Sequence, residues 1–186
     1  MAFINQIQSY HPENEQELSD QRVMLDYIQK FEHNILHREN EIAHITSSSI
    51  ILNTERTKML MIHHNIYNTW TWTGGHADGD RNLLEIALKE AQEETGIESI
   101  RVLSGEIGSI DILPVWGHMK RGKYVSAHLH LNAAYIFVAD EAETLTIKPD
   151  ENSDIRWILL EEVAAHSKEP DLILLYNKLL EKAKRY

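Results

Sequence analysis

Between residues 124 and 139 the sequence changes character in a way that limits what the chain can fold into. The first part alternates, placing His128, His130 and Asn132 on one face of a strand and Leu129 and Leu131 on the other, because successive side chains of a strand point to opposite sides. The second part, Ala134-Tyr135-Ile136-Phe137-Val138, is apolar on both faces, as expected for a strand covered from both sides. Such a strand calls for a sheet with packed layers on its two faces, and the rest of the chain supplies helices and strands for an α/β or α+β layered domain.

Alternating or apolar runs predict strands near residues 45–53 and 58–63, joined through a turn at 53–56, and near 100–105, 108–115 and 155–160. A turn is expected at 74–80, and helices at 83–95, 161–166 and 170–184. Residues 1–16 carry no clear pattern. From 17 to 38, Leu18, Leu25, Ile28, Ile35 and Leu36, with Met24, Tyr27 and Phe31, fall near helical spacing and predict one helix or two shorter ones. Residues 1–40 therefore read as an N-terminal helical extension, packed on the main domain or used for association as a homodimer. Residues 41–186 read as that domain.

Composition narrows the function. With 186 residues and 42% hydrophobic content, the chain can bury a core unaided. It contains no cysteine, which excludes disulfides and thiolate zinc sites. With no basic and apolar leader and no apolar run of membrane length, the expectation is a cytoplasmic protein with no membrane partner. A formal charge of −11 opposes general binding of nucleic acid. It also means that a phosphorylated substrate would need cations supplied locally, by basic side chains or by metal.

The helix at 83–95 bears on that need. Leu84, Ala87, Leu88 and Ala91 form a stripe for anchoring it. Asn82 suits the N-cap, with Glu85 placed as in a capping box and four residues before Lys89. Gly96 suits a left-handed C-cap. Glu90, Glu93 and Glu94 do not serve stability. At spacings of three and four they repel one another, and they crowd the helix end whose dipole disfavours anions. A solvated acidic face is the plain alternative. A divalent cation removes the conflict, since Mg²⁺ and its relatives take carboxylate oxygens as ligands.

The run Gly74–Ile97, GGHADGDRNLLEIALKEAQEETGI, resembles the signature box of the Nudix hydrolases: a glycine, five residues, glutamate, seven residues, Arg-Glu, an apolar residue, any residue, Glu-Glu, any residue, glycine and an apolar residue. Gly75, Glu90, Glu93, Glu94, Gly96 and Ile97 fall on its positions without a gap. Two positions depart: Lys89 stands for the arginine and Arg81 for the first glutamate, with Asp78 or Asp80 as partial substitutes. The resemblance extends over about residues 43–180. It implies a Nudix-type α/β/α sandwich with a mixed sheet, and a metal-dependent hydrolase cleaving a pyrophosphate bond in a nucleoside diphosphate linked to another moiety. It implies Mg²⁺ or Mn²⁺ held by Glu93 and Glu94 with Glu90 alongside and the Gly75 carbonyl as a further ligand. Glu151, six residues before Trp157, resembles the later-loop carboxylate that many members use as general base or second-metal ligand. The alternatives are a Nudix-fold binding or regulatory module with weak or no catalysis, which Arg81 favours, and a metal-dependent isomerase of a diphosphate.

Other candidates rest on the residues alone. His128 and His130 share a strand face and are candidates for substrate contact. With His63, His64, His76 and His118 they fit no familiar zinc spacing, and histidines filling polar sheet positions are the expectation. Lys120 and Arg121, beside Gly122 in a turn, could reach a phosphate, and Trp72 could stack on a base.

Overall fold

The computed structural model describes residues 2–120 and 122–186, and the strand that is apolar on both faces lies in the interior of its main sheet. In chain order the elements are helices α1 (Ala2–Ser9) and α2 (Glu15–Phe31), then strands β1 (Ala43–Asn53), β2 (Lys58–His64), β3 (Thr69–Thr71) and β4 (Thr73–His76). Helix α3 (Leu83–Thr95) follows, then β5 (Arg101–Val102), β6 (Ser109–Val115), β7 (His118–Lys120), β8 (Lys123–Val125), β9 (His128–Ala139) and β10 (Asn152–Leu159). Helices α4 (Val163–His166) and α5 (Pro170–Ala183) complete the chain.

β9 runs parallel to β1 along its whole length, from Ala43 beside Leu129 to Asn53 beside Ala139. Each of these strands changes its other partner part-way. β1 pairs with β4 through residues 46–49 and with β2 through Ile51 and Leu52. β9 pairs with β6 through residues 128–134 and with β5 through Phe137 and Val138. β3 and β10 extend the sheet from β2, while β7 and β8 form a separate hairpin.

The pleat sorts the core into two layers. On one face Ile45, Ile51, Leu131, Ala133, Tyr135 and Phe137 pack with Leu83, Ile86, Ala87 and Ala91 of α3, and with residues of α1 and α2. On the other, Ile50, Leu52, Ala134, Ile136 and Val138 pack with Leu175, Tyr176, Leu179 and Ala183 of α5. Burying a large aliphatic or aromatic side chain contributes about 1.5–3 kcal/mol, so both layers are needed to hold the central strands. The result is the expected α/β/α sandwich around a mixed sheet.

Several local expectations shift. Residues 2–9 form a helix whose Phe3 and Ile7 are buried in the main core. α2 stops at Phe31, and Ile35 and Leu36 are buried from a turn whose Ile35 carbonyl accepts the Ile45 N–H at 2.9 Å. The first part of the turn expected at 74–80 is strand β4, paired along β1. The long strand expected at 124–139 is interrupted at Ser126 and Ala127. Buried charge joins the first helices to the last one. Glu17 is fully buried, with Lys182 Nζ at 2.7 Å and Lys178 Nζ at 3.2 Å. Burial drives the Glu17 carboxyl upward, but the Glu13 N–H and the Lys182 ammonium prevail and hold it below its ordinary value.

Candidate active site and metal centre

Helix α3 positions the acidic residues by the way its apolar side seats. Asn82 Oδ1 accepts the Glu85 N–H at 3.4 Å, and Gly96, at φ +76°, closes the helix by donating its N–H to the Gln92 carbonyl. The buried side runs through Leu83, Ile86, Ala87 and Ala91. Leu84 and Leu88, expected within the stripe, are half-buried at its margin. Continued by one turn, the buried side reaches Glu90 and Glu94, which turns these two acids inward. Glu93, about 100° around the helix from Glu94, stays at the outer rim.

Carboxylate oxygens of Glu90, Glu94 and Glu151 converge, all within 4.8 Å of one another. Glu94 is only 4% exposed, and its Oε2 accepts the Gly74 N–H at 3.0 Å. Burial pushes its carboxyl up to about 8; the Gly74 N–H opposes the shift, while the charges of Glu90 and Glu151 reinforce it. Glu90 is raised for the same first reason, burial. Gly75 lies against Glu90 so closely that a Cβ there would overlap the Glu90 carboxyl group, which explains the need for glycine at this point of β4.

Glu151 arrives from the loop before β10. Asn152, fully buried, ties that loop to α3: its Nδ2 donates to the Glu94 carbonyl at 2.9 Å, and its Oδ1 accepts the Lys148 N–H at 3.2 Å. Lys148 Nζ lies 3.1 Å from Glu93 and 3.0 Å from Glu151. Burial works to lower its pKa, but these acids raise it overall. Glu93 also lies 3.7 Å from Lys89. Thus Glu90, Glu94, Glu151 and Gly75 come together, and Glu93 joins them through Lys148. Neither Asn152 nor Lys148 was singled out in the sequence, where each reads as an ordinary loop polar residue.

The donor set suits a hard divalent cation. Converging carboxylates with no nitrogen or sulfur among them match Mg²⁺ or Mn²⁺, and a cation here would offset the charge repulsion that raises Glu94. Arg81 is exposed beside Lys30, Glu32 and His33. Asp78 forms a two-point ion pair with Arg38, at 2.7 and 2.6 Å, and Asp80 accepts the Asn82 N–H. None of the three belongs to the converging group.

A cleft of about 910 Å³ reaches Gly74, Gly75 and Glu94. Tyr67, Trp116 and Tyr124 also line it and are substantially exposed. Lys120 lies on its lining, as do His128 and His130. Trp72 borders it too but is 8% exposed, its ring packed edge-on to Tyr176 at 5.7 Å and its backbone N–H donated to the Tyr176 hydroxyl. Arg121 lies outside the described residues. The histidines separate into groups that chain spacing does not reveal. His44, His76, His128 and His130 meet on the cleft wall. His64 stacks on Tyr67, His63 bonds Ser153, and His118 bonds the Trp116 carbonyl. Burial depresses His44 and takes His76 and His130 down to about 2.

Sandwich, glycine-bearing strand and acidic helix together define a class of α/β/α domain that sets an acidic helix beside a cleft, with Glu94 on the cleft lining. The chain belongs to the NUDIX domain family, whose sequence model matches residues 42–179. Among solved structures it is similar to a C. elegans Ap4A hydrolase in a binary complex, with a TM-score of 0.55 and 14% identity over 76% of this chain and 98% of that one. It is also similar to an E. coli dihydroneopterin triphosphate pyrophosphohydrolase, with a TM-score of 0.55 and 13% identity over 74% and 92% of the two chains. A third likeness is to RenU, a Nudix hydrolase from M. smegmatis, with a TM-score of 0.54 and 16% identity over 76% and 84%. At these identities the likenesses bear on the fold. No curated protein matches the chain in sequence. Among the described residues, no helix is long and apolar enough to cross a membrane.

Proposed function

We propose that the protein is a cytoplasmic, divalent-cation-dependent hydrolase that cleaves the pyrophosphate bond of a nucleoside diphosphate linked to another moiety. The convergence of Glu90, Glu94 and Glu151, with Glu94 lining the cleft and Gly75 packed against Glu90, is the observation that carries this reading. When bound, Mg²⁺ or Mn²⁺ would neutralise phosphate oxygens and assist ionisation of the attacking water. Glu90 and Glu94 would hold the cation, with Glu93, which Lys148 holds at the rim, as a further ligand. Glu151 accepts the proton of the attacking water as the new P–O bond forms and the bridging P–O bond breaks. Lys148 and Lys120 balance charge on the phosphates, and the exposed faces of Tyr67, Trp116 and Tyr124 offer stacking surfaces for a base.

The test is hydrolysis of nucleotide sugars, dinucleoside polyphosphates, ADP-ribose and nucleoside triphosphates with Mg²⁺ and with Mn²⁺. Glu93→Gln should lower metal-dependent turnover by about 100-fold or more; near wild-type turnover would remove Glu93 from the mechanism. A second reading, a binding module with weak catalysis, is favoured by Lys148, whose ammonium already partners Glu93 and Glu151. Calorimetric titration with Mn²⁺ separates the two, because the hydrolase must exchange that internal cation for a metal.

A further inference from the structure

The cleft wall carries a second constellation, built from nitrogen instead of oxygen. His44 on β1 lies beside His130 on β9 in the parallel register. His128 lies two residues before His130, on the same face. His76 on β4 is opposite Thr46, two residues from His44 and again on that face. Three strands thus deliver four imidazoles to one place, and one nitrogen from each lies within 4.8 Å of all the others.

The rings are tilted or edge-on to one another and do not form a parallel stack. His44 packs against His76, His128 and His130 with ring planes inclined by 36°, 31° and 51°, and His76 stands at 85° to His130. Two rings have their tautomer set by backbone carbonyls. His44 Nδ1 is 2.9 Å from the Asn40 carbonyl, and His128 Nδ1 is 2.8 Å from the Ser126 carbonyl. A carbonyl only accepts, so each Nδ1 carries a hydrogen, and in the neutral imidazole, the form that ligates metal, each Nε2 presents a lone pair. This arrangement, with the far nitrogen bonded to a carbonyl, is how proteins orient metal-binding histidines.

One lone pair of the cluster, on His44 Nε2, is left unexplained without an ion. His44 is 4% exposed and its Nε2 has no hydrogen-bond partner among the described residues; leaving a buried polar atom unpaired costs about 1–3 kcal/mol. His128 Nε2 and His130 Nε2 are 3.2 Å apart. Two nitrogens bound tetrahedrally to one ion at about 2.0–2.1 Å would be about 3.3–3.4 Å apart. A proton shared between them satisfies that pair but does nothing for His44.

We infer that His44, His76, His128 and His130 form a binding site for a borderline transition-metal ion of the Zn²⁺ or Co²⁺ class, separate from the carboxylate centre. Neutral imidazoles select such ions over Mg²⁺, which prefers oxygen. An imidazole that ligates a metal brings no charge of its own, so the bound ion would keep its full charge and make this wall of the cleft a cationic anchor for an anionic group.

The test uses the full chain, stripped of metal and titrated with Co²⁺ in the presence of excess Mg²⁺. One equivalent should produce the intense visible absorption of tetrahedral, nitrogen-bound Co²⁺, and Zn²⁺ should abolish it by displacement. Glu94→Gln should retain the absorption, and His130→Asn should weaken Co²⁺ binding by about 100-fold. A measurement on the unsubstituted protein removes dependence on a variant's folding: imidazole ¹⁵N shifts before and after Zn²⁺. The Nε2 resonances of His44, His128 and His130 should move together with one nitrogen of His76. Absence of stoichiometric binding, absorption lost in Glu94→Gln, or shifts confined to His63, His64 or His118 would overturn the assignment.

Discussion

Glu94→Gln isolates the electrostatic tension at the centre of the carboxylate group. The substitution keeps an acceptor for the Gly74 N–H, which Glu94 Oε2 receives at 3.0 Å, and removes the ionisable group. Burial and neighbouring acids hold the Glu94 carboxyl at about 8 in the folded chain, against an ordinary 4.5. A carboxyl raised by folding leaves stability unaffected below its unfolded value. Stability then falls as pH rises, because the folded state retains a proton that the unfolded state has released, and it levels off above the folded value. At about 1.4 kcal/mol per tenfold change, the loss between pH 4.5 and 8 is on the order of 3–5 kcal/mol. Urea unfolding in chelator should therefore give nearly equal stabilities for the two proteins at pH 5. At pH 9 the variant should be the more stable by about that amount. Adding Mg²⁺ at pH 8 should restore stability to the unsubstituted protein and much less to the variant. Parallel pH profiles, with no growing gap, would refute the argument that the acids are buried at the expense of stability for want of a cation.

Gly75→Ala should force the Glu90 carboxyl aside and weaken Mn²⁺ binding by about tenfold or more, with the far-ultraviolet dichroism unchanged; calorimetry gives the affinity. Asn152→Ala leaves the Glu94 carbonyl and the Lys148 N–H without their partners. It should cost about 1–3 kcal/mol in urea unfolding and also loosen Mn²⁺ binding through displaced Glu151. Lys182→Met strips Glu17 of its 2.7 Å partner and should destabilise by about 3 kcal/mol at neutral pH. Since folding lowers Glu17, its contribution is present above the ordinary carboxylate value and lost as pH falls through the folded one. The gap between this variant and the parent should narrow in acid.

The carboxylate centre was legible because its logic is local. Glu90, Glu93 and Glu94 occupy one helix, and their mutual repulsion could be read from spacing alone. Which two turn inward could not, because that depended on Leu83 and Ile86, not Leu84 and Leu88, seating against the sheet. Glu151 was suggested by the family resemblance, whereas Asn152, which ties its loop to α3, is unremarkable until α3 lies alongside. Strand β4 was hidden by its glycines, which suit a turn as well as they suit close packing against Ser48 and Glu90. The four histidines had no sequence signal as a set. His44 and His130 become neighbours only through the parallel pairing of β1 with β9, and no spacing rule encodes a register.

The proposed reaction requires water to attack phosphorus within the grip of Glu90, Glu94 and Glu151. Hydrolysis of the best substrate in ¹⁸O-enriched water, followed by ³¹P NMR of the products, tests that requirement most directly. One phosphoryl product should carry a single ¹⁸O, its formation should stop in chelator, and Glu94→Gln should slow it by about 100-fold or more. Unlabelled products, or labelling indifferent to both chelator and substitution, would contradict the account.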